Sequence, residues 1–514
     1  IESAQGPPSE ELQQLAAGER PHRVEPQNQW RGSIAGLGGG GPRPIETGPG
    51  QGPLQPSHRA KAGQSRQTRR SRLRDRVVQQ PPGVRAVPLN LVQHWLPGNP
   101  ELRLLVLIGP TDDGPRLLIS DRPDRAQTGL DSGADPAALS RMLETPLLDP
   151  DAPLSLQPAA IAKPWGRELW HTGIEARGVS RVGGATQEEG IPLPWLLAAL
   201  PRRYGSRDSR QLPGDPVRIR PPVLVKILDP HSDPQLGDLY FELHEHKQEV
   251  YLVTGVDPDA WPEGRGAIRM GFDPALVRQL GDAGVRRAFA EAVAAYEPVR
   301  RRIDALLDAR RSRLGIDRDA TLPPATQRVW LADLPHSLRA EERRCRRAVE
   351  TLTALEPLAP GDLVRIPRRV PHALQHGVRV VEFQTPVYER SILFFGQKVL
   401  TQDHWDTQDA VARMRLRPPP PESPPLLEAS PGVRAERVAG FAGFRVLRLQ
   451  LRAGARFKLP AAAHAVATGI LGTLSLAGME ITPESSCLIP GSALTSPIVA
   501  GDRGGLCLVA LPEE

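Results

Sequence analysis

Two stretches constrain what this chain can fold into. They are Leu239-Tyr-Phe-Glu-Leu-His-Glu-His-Lys-Gln-Glu-Val-Tyr251 and, far along the sequence, Gly361-Asp-Leu-Val-Arg-Ile-Pro-Arg-Arg-Val-Pro-His372. In an extended strand alternate residues share a face, so Glu242, His244 and His246 project to one side, and Glu249 follows just after. The second stretch adds His372 beyond a Gly-Asp turn and a strand-like Leu363-Val-Arg-Ile366 segment. A single histidine in a strand is ordinarily structural or solvated. Imidazoles and carboxylates gathered inside one small barrel are instead the N/O donor set that a divalent transition metal requires.

The run Gly361, Pro367 and His372 follows the second cupin motif, G-x5-P-x-G-x2-H-x3-N, with Arg369 at the second glycine position and His376 at the asparagine position. The first stretch resembles the first cupin motif, with His244, His246 and Glu249 between Gly237 and Gly255. A closer resemblance is to the type I mannose-6-phosphate isomerases, themselves cupins. Lys163-Pro-Trp-Gly-Arg-Glu-Leu-Trp170 looks like their Pro-Trp-Gly motif, and Pro222-Val-Leu-Val-Lys-Ile-Leu228 looks like the strand before their L-S-I-Q-V-H segment. Leu239 to His244 resembles that segment, and His246-Lys-Gln-Glu249 resembles their H-K-P-E. Gly361 to Ala373 resembles their G-D-x4-P-A-G-T-x-H-A turn, and Glu382 to Arg390 their strand ending in T-Y-R. The similarity covers roughly residues 160 to 514, and the order of the motifs is its specific part.

The resemblance implies a mainly β chain, a bicupin of RmlC-like jelly-roll β-barrels with a helical insertion and a disordered N-terminal tail. It implies one zinc ion per chain in the first barrel, held by Glu242, His244, Glu249 and His372. Glu242 stands where the family has glutamine, adding a negative charge that tightens metal binding and weakens the metal as a Lewis acid; His246 is the alternative ligand to Glu242. The implied reaction interconverts mannose 6-phosphate and fructose 6-phosphate through an enediol. Arg390 would stabilise the charge that develops, Glu382 falls at a candidate base, and Lys247 falls at a pocket lysine. The segment between the Q-V-H strand and K-x-E is almost absent, and the Ser-Asp pair before the tyrosine is missing. Both departures fall around the substrate pocket. The alternatives are a non-catalytic sugar-binding cupin and an iron-dependent oxygenase, for which a histidine-plus-carboxylate shell would also serve.

With 514 residues there is material for two or three domains. Residues 1–85 are rich in Gly, Pro, Arg and Gln and bury too little apolar surface to offset the entropy of ordering, so a disordered basic tail is expected. Much of the net charge of +6 belongs to it. With 4% aromatic residues and no zinc-finger, helix-turn-helix or RNA-recognition signature, charge alone does not indicate specific nucleic-acid binding. No apolar window of membrane-spanning length and no charged-then-apolar leader is found. Cys345, Cys487 and Cys507 form no C-x-x-C pair, so a reduced cytoplasmic setting is expected. Residues 86–150 read as a small α+β appendage, 151–272 and 356–414 as the metal-binding barrel, and 273–355 as a helical insertion. Residues 415–435 read as a proline-rich linker and 436–514 as a second, degenerate barrel retaining only His464. The expected partner is a small-molecule sugar phosphate; oligomeric state is left open.

Overall fold

In the computed structural model, which describes residues 83–184, 189–201, 203–204, 215–220 and 223–513, two antiparallel sheets face each other around the residues singled out above. The tail expected over residues 1–85 lies, as far as residue 82, outside the described residues. The six-stranded sheet runs Leu363–Ile366, Glu249–Val256, Val378–Gln384, Leu224–Pro230, Gly166–Trp170, Ala159–Lys163. The five-stranded sheet runs Thr353–Leu358, Gly266–Phe272, His372–Leu374, Phe241–Leu243, Ser391–Phe394.

Strand alternation decides what points inward. In the six-stranded sheet Val225, Ile227, Val250, Leu252, Val381 and Phe383 turn outward into one apolar cluster. Their sequence neighbours Lys226, Glu249, Tyr251 and Glu382 therefore turn toward the space between the two sheets. At about 1.5–3 kcal/mol for each buried apolar side chain, those six supply roughly 10 kcal/mol. A one-residue slip would forfeit that burial and expose the whole set, so the register that buries the charges is the one the apolar face selects.

The five-stranded sheet repeats the logic. Phe241 and Leu243 point away from Glu242, and Phe241 joins Phe272, Phe289 and Phe394 in an aromatic cluster with ring centroids 5.0–6.4 Å apart. Phe289 belongs to the helix Pro274–Arg313, so the helical insertion covers this sheet's outer face. The carboxylate of Asp273 accepts from the Ala275 N–H at 2.6 Å, a proline follows at the first position, and Gly281 breaks the helix with φ +68°. The buried residues Val277, Val285, Phe289, Val293, Tyr296, Val299, Ile303 and Leu307 follow the three- and four-residue spacing, whereas Leu280 and Leu306 face solvent. The insertion ends before Thr353, where the chain re-enters the sheet.

The remaining boundaries differ from the sequence reading. The strand Leu426–Ser430 pairs with Val433–Phe441, so the proline-rich connection stops at Pro425, the last proline able to deny the ladder a donor before Pro431. The C-terminal sheet of eleven strands also recruits Leu154–Gln157, Arg181–Val182 and Ile191–Pro192, segments expected in the first barrel. The region read as short strands around Gly469 and Gly472 is one strand, His464–Leu476, with register shifts at both glycines. One face of this sheet packs on the six-stranded sheet; the other encloses its own apolar cluster, with Cys487 and Cys507 inside. Arg85–Val92, Glu101–Thr111 and Gly114–Ser120 form a three-stranded sheet beside helices Pro123–Asp131 and Pro136–Leu143. No described helix is long and apolar enough to cross a membrane.

Candidate functional site

Four of the predicted side chains meet between the two sheets. Glu242 is the direct cross-strand neighbour of His372 in the five-stranded sheet. His244 follows just past the end of its strand, and Glu249 stands against the two histidines from the opposite sheet. Ligand atoms of Glu242, His244 and His372 lie within 4.8 Å of one another. The Glu249 carboxylate stands 3.5 Å from His244 Nε2 and 3.4 Å from His372 Nε2, and His244 Nε2 is 3.6 Å from Glu242 Oε1.

The turn that joins the two motifs is held by its backbone. Arg369 N–H donates to His244 O at 2.7 Å, and Arg369 adopts φ +66° at the position where the cupin motif carries glycine. Left-handed backbone at a non-glycine residue costs free energy that the surrounding contacts must offset. Gly166 of the Pro-Trp-Gly motif is required for a different reason: a Cβ there would lie 2.2 Å from Asp229 O in the paired strand.

His246 is not part of the cluster. The strand ends at Leu243, so two-residue alternation does not extend to it, and its side chain is exposed. Glu389 accepts the backbone N–H groups of Glu245, His246 and Lys247 at 2.8, 2.8 and 3.0 Å, pinning this turn. These three bonds lower the Glu389 carboxyl against the opposing effect of burial. His376, at the asparagine position, donates from Nδ1 to Asp238 at 2.7 Å and stacks on Trp261.

The protonation states suit a metal. Burial, with Lys247 nearby, holds His244 well below the ordinary histidine value, so one ring nitrogen keeps its lone pair for a ligand. Burial would raise Glu249, but the Lys247 ammonium beside it holds it well below the carboxylate range. Lys247 Nζ lies 2.5 Å from Glu249 Oε1, and Tyr251 donates its hydroxyl to Glu249 Oε2 at 2.9 Å. Lys247 is thus a buried, paired lysine, not an exposed strand end. Glu242 Oε2 and both ring nitrogens of His244 are buried without a hydrogen-bond partner. Such groups cost about 1–3 kcal/mol each unless something binds them.

Around this cluster lies a layer of buried charge, part of which the sequence reading missed. Lys226 interrupts the apolar run Val223-Leu-Val-Lys-Ile-Leu228, a signal visible in the sequence, and its Nζ is 3.1 Å from Glu382 Oε2. The two are direct cross-strand neighbours. Burial pushes Glu382 up to about 8, against Lys226 and with Glu249 adding to the rise. Lys163 sits 3.1 Å from Glu168 Oε1, and the Trp170 indole N–H donates to Glu168 Oε2 at 2.6 Å. Trp165 packs in the core. Arg390 stands over the Tyr240 ring at 5.0 Å and donates to Thr401. Among the described residues it forms no ion pair with Glu389 or Glu382, and its Nε has no partner.

Glu168 gives a direct test of this layer. Burial would raise its carboxyl, but Lys163, Lys226 and the Trp170 N–H bring it down to about 2. A depressed carboxylate stabilises the fold above its unfolded value near 4.5, and that contribution is lost as the pH falls from about 4.5 to about 2. Glu168→Gln should therefore cost about 3 kcal/mol at pH 7 and flatten the acid limb of a urea-unfolding series. An unchanged acid limb would show that Glu168 is not held ionised.

No protein-family model matches the chain, and no curated protein matches it. Solved structures with a similar backbone include the mannose 6-phosphate isomerase of Bacillus subtilis, at 13% identity and TM-score 0.44, covering 70% of this chain and 99% of that one. A point mutant of the phosphomannose isomerase of Salmonella typhimurium is 16% identical with TM-score 0.43, covering 70% and 100%. A zinc-bound mannose 6-phosphate isomerase is 16% identical with TM-score 0.43, covering 70% and 99%. These likenesses are too distant to carry a functional assignment, which rests on the residues themselves.

Proposed function

We propose that this chain is a metal-dependent sugar-phosphate isomerase, interconverting mannose 6-phosphate and fructose 6-phosphate. The observation that supports it is the convergence of Glu242, His244 and His372, whose ligand atoms lie within 4.8 Å of one another, with the Glu249 carboxylate against both histidines and Lys226, Lys247, Glu382 and Arg390 around them. The neutral His244, the ionised Glu249 and the partnerless Glu242 Oε2 fit a divalent cation, zinc in the first instance. When bound, such a metal supplies Lewis acidity and a template for the substrate's oxygens.

The chain's own groups divide the remaining work. Glu382, with a pKa near 8, can hold or release a proton close to neutral pH, as transfer between adjacent carbons requires. Lys226 steadies its ionised form from the next strand. Arg390 is lifted above the ordinary arginine value by Glu242 and Tyr240, in spite of burial, so it remains a fixed cation for the charge of an enediolate. Lys247 fixes the Glu249 carboxylate through its 2.5 Å contact.

The test is a coupled assay for fructose 6-phosphate on metal-stripped protein, with zinc, manganese, cobalt or iron(II) added back, alongside metal analysis by mass spectrometry. The expected result is turnover restored by zinc and lost in Arg390→Ala with the metal retained. Stoichiometric metal binding without turnover for any metal would overturn the isomerase reading in favour of a binding protein.

A further inference from the structure

Arg177 lies in the short hairpin of Ile174–Glu175 and Gly178–Val179, just after the strand that carries Glu168 and Trp170. Its guanidinium carbon stands 5.1 Å from the Trp170 ring centroid and 4.9 Å from that of Tyr388. Trp170 is buried and hydrogen-bonded to Glu168, whereas Tyr388, two residues before Arg390, is 63% exposed. Arg177 thus bridges the wall of the charged interior and its solvent-facing rim. Its charge reaches inward, since it helps burial lower the proton affinity of Lys163.

Two ring contacts, each worth about 0.5–1 kcal/mol at an exposed site, hold the guanidinium in place without using its N–H donors. Among the described residues its only hydrogen-bond acceptor is Glu175, through Nη2 at 2.5 Å. Nε and Nη1 therefore remain to donate, and a stacked planar fork of this kind matches phosphate oxygens better than a lysine does.

We propose that Arg177, clasped between Trp170 and Tyr388, recognises the substrate's phosphate dianion at the barrel mouth, the phosphate displacing Glu175. This rests on the isomerase reading and adds to it the residue that selects a phosphorylated over a neutral sugar. In Arg177→Ala the KM for mannose 6-phosphate should rise about tenfold while kcat falls less than threefold, because the lost contact is shared by ground and transition states. Inorganic phosphate, tested as competitive inhibitor and by calorimetric titration, should weaken in parallel. Glu175→Gln leaves the hairpin its shape and removes the competing charge, so it should bind phosphate more tightly than the parent.

An unchanged KM and phosphate affinity in Arg177→Ala, or weaker phosphate binding in Glu175→Gln, would overturn the proposal. If the parent protein turns over no sugar phosphate with any metal, the isomerase reading falls, and the phosphate titration still decides Arg177. Binding that weakens in Arg177→Ala then supports the anion site, and absent or equal binding sinks it.

Discussion

Replacing His372 with alanine is expected to lower zinc affinity by roughly a hundredfold or more and to remove turnover with it. The reason lies in how the imidazole is aimed. Its Nδ1 donates to Val370 O at 3.1 Å, which fixes the tautomer and leaves the Nε2 lone pair directed at the cluster, 3.4 Å from Glu249. No neighbouring side chain can take its place, since the adjacent strand position is already occupied by Glu242. His246→Ala is the matched control: that side chain is exposed outside the cluster, and metal content should stay stoichiometric. Equilibrium dialysis on both variants checks the pair. Full metal retention in His372→Ala, or its loss in His246→Ala, would refute the ligand set.

The second large effect is expected at Lys226. Lys226→Met removes the cation beside Glu382, and above about pH 8, where that carboxyl is ionised, breaking one side of the buried pair costs about 3–5 kcal/mol. Adding Glu382→Leu to the same protein should recover a good part of that loss, because the stranded carboxylate is then gone as well. Urea unfolding at about pH 9, where Glu382 is ionised, measures both; a single variant that loses less than about 1 kcal/mol there would show that the pair is not a buried ionic contact.

The pH dependence adds a separate signature. Glu382 titrates near 8 in the fold but near 4.5 when unfolded, so the folded chain holds a proton that the unfolded chain releases. Its contribution to stability is therefore greatest below pH 4.5 and declines as the pH rises from 4.5 to about 8. Turnover that needs the ionised form should rise over the same upper limb. Lys226→Met should move that limb upward, since the lysine is what restrains the rise of Glu382.

The residues that meet in the candidate site were named from the motifs before any fold was known. Glu242, His244 and His372 come together, the Glu249 carboxylate lies against both histidines, and Lys247 and Glu382 are buried beside them. The helical insertion was legible too, because its apolar spacing and the Asp273-Pro start are local signals. What failed were readings that extended a local rule past the end of its element. His246 shares the alternation of Glu242 and His244 on paper, but the strand ends at Leu243 and the chain turns to bond Glu389. The segments at 154–157, 181–182 and 191–192 were placed in the first barrel because they are near it in sequence, yet their hydrogen bonds run to the C-terminal sheet.

The sequence by itself determined which side chains share a strand face, since alternation and apolar burial depend only on nearest neighbours in the chain. It also determined the turn between Gly361 and His372, where a proline and a tight backbone leave few conformations. Only the tertiary structure decided which faces oppose one another. Lys226 meets Glu382 across 156 positions, Glu249 meets His372, and Arg177 meets Tyr388, because strand register and the facing of two sheets set those pairs. Register is a collective property: it is selected by the summed burial of many apolar residues on the other face, and no charged residue carries that information on its own.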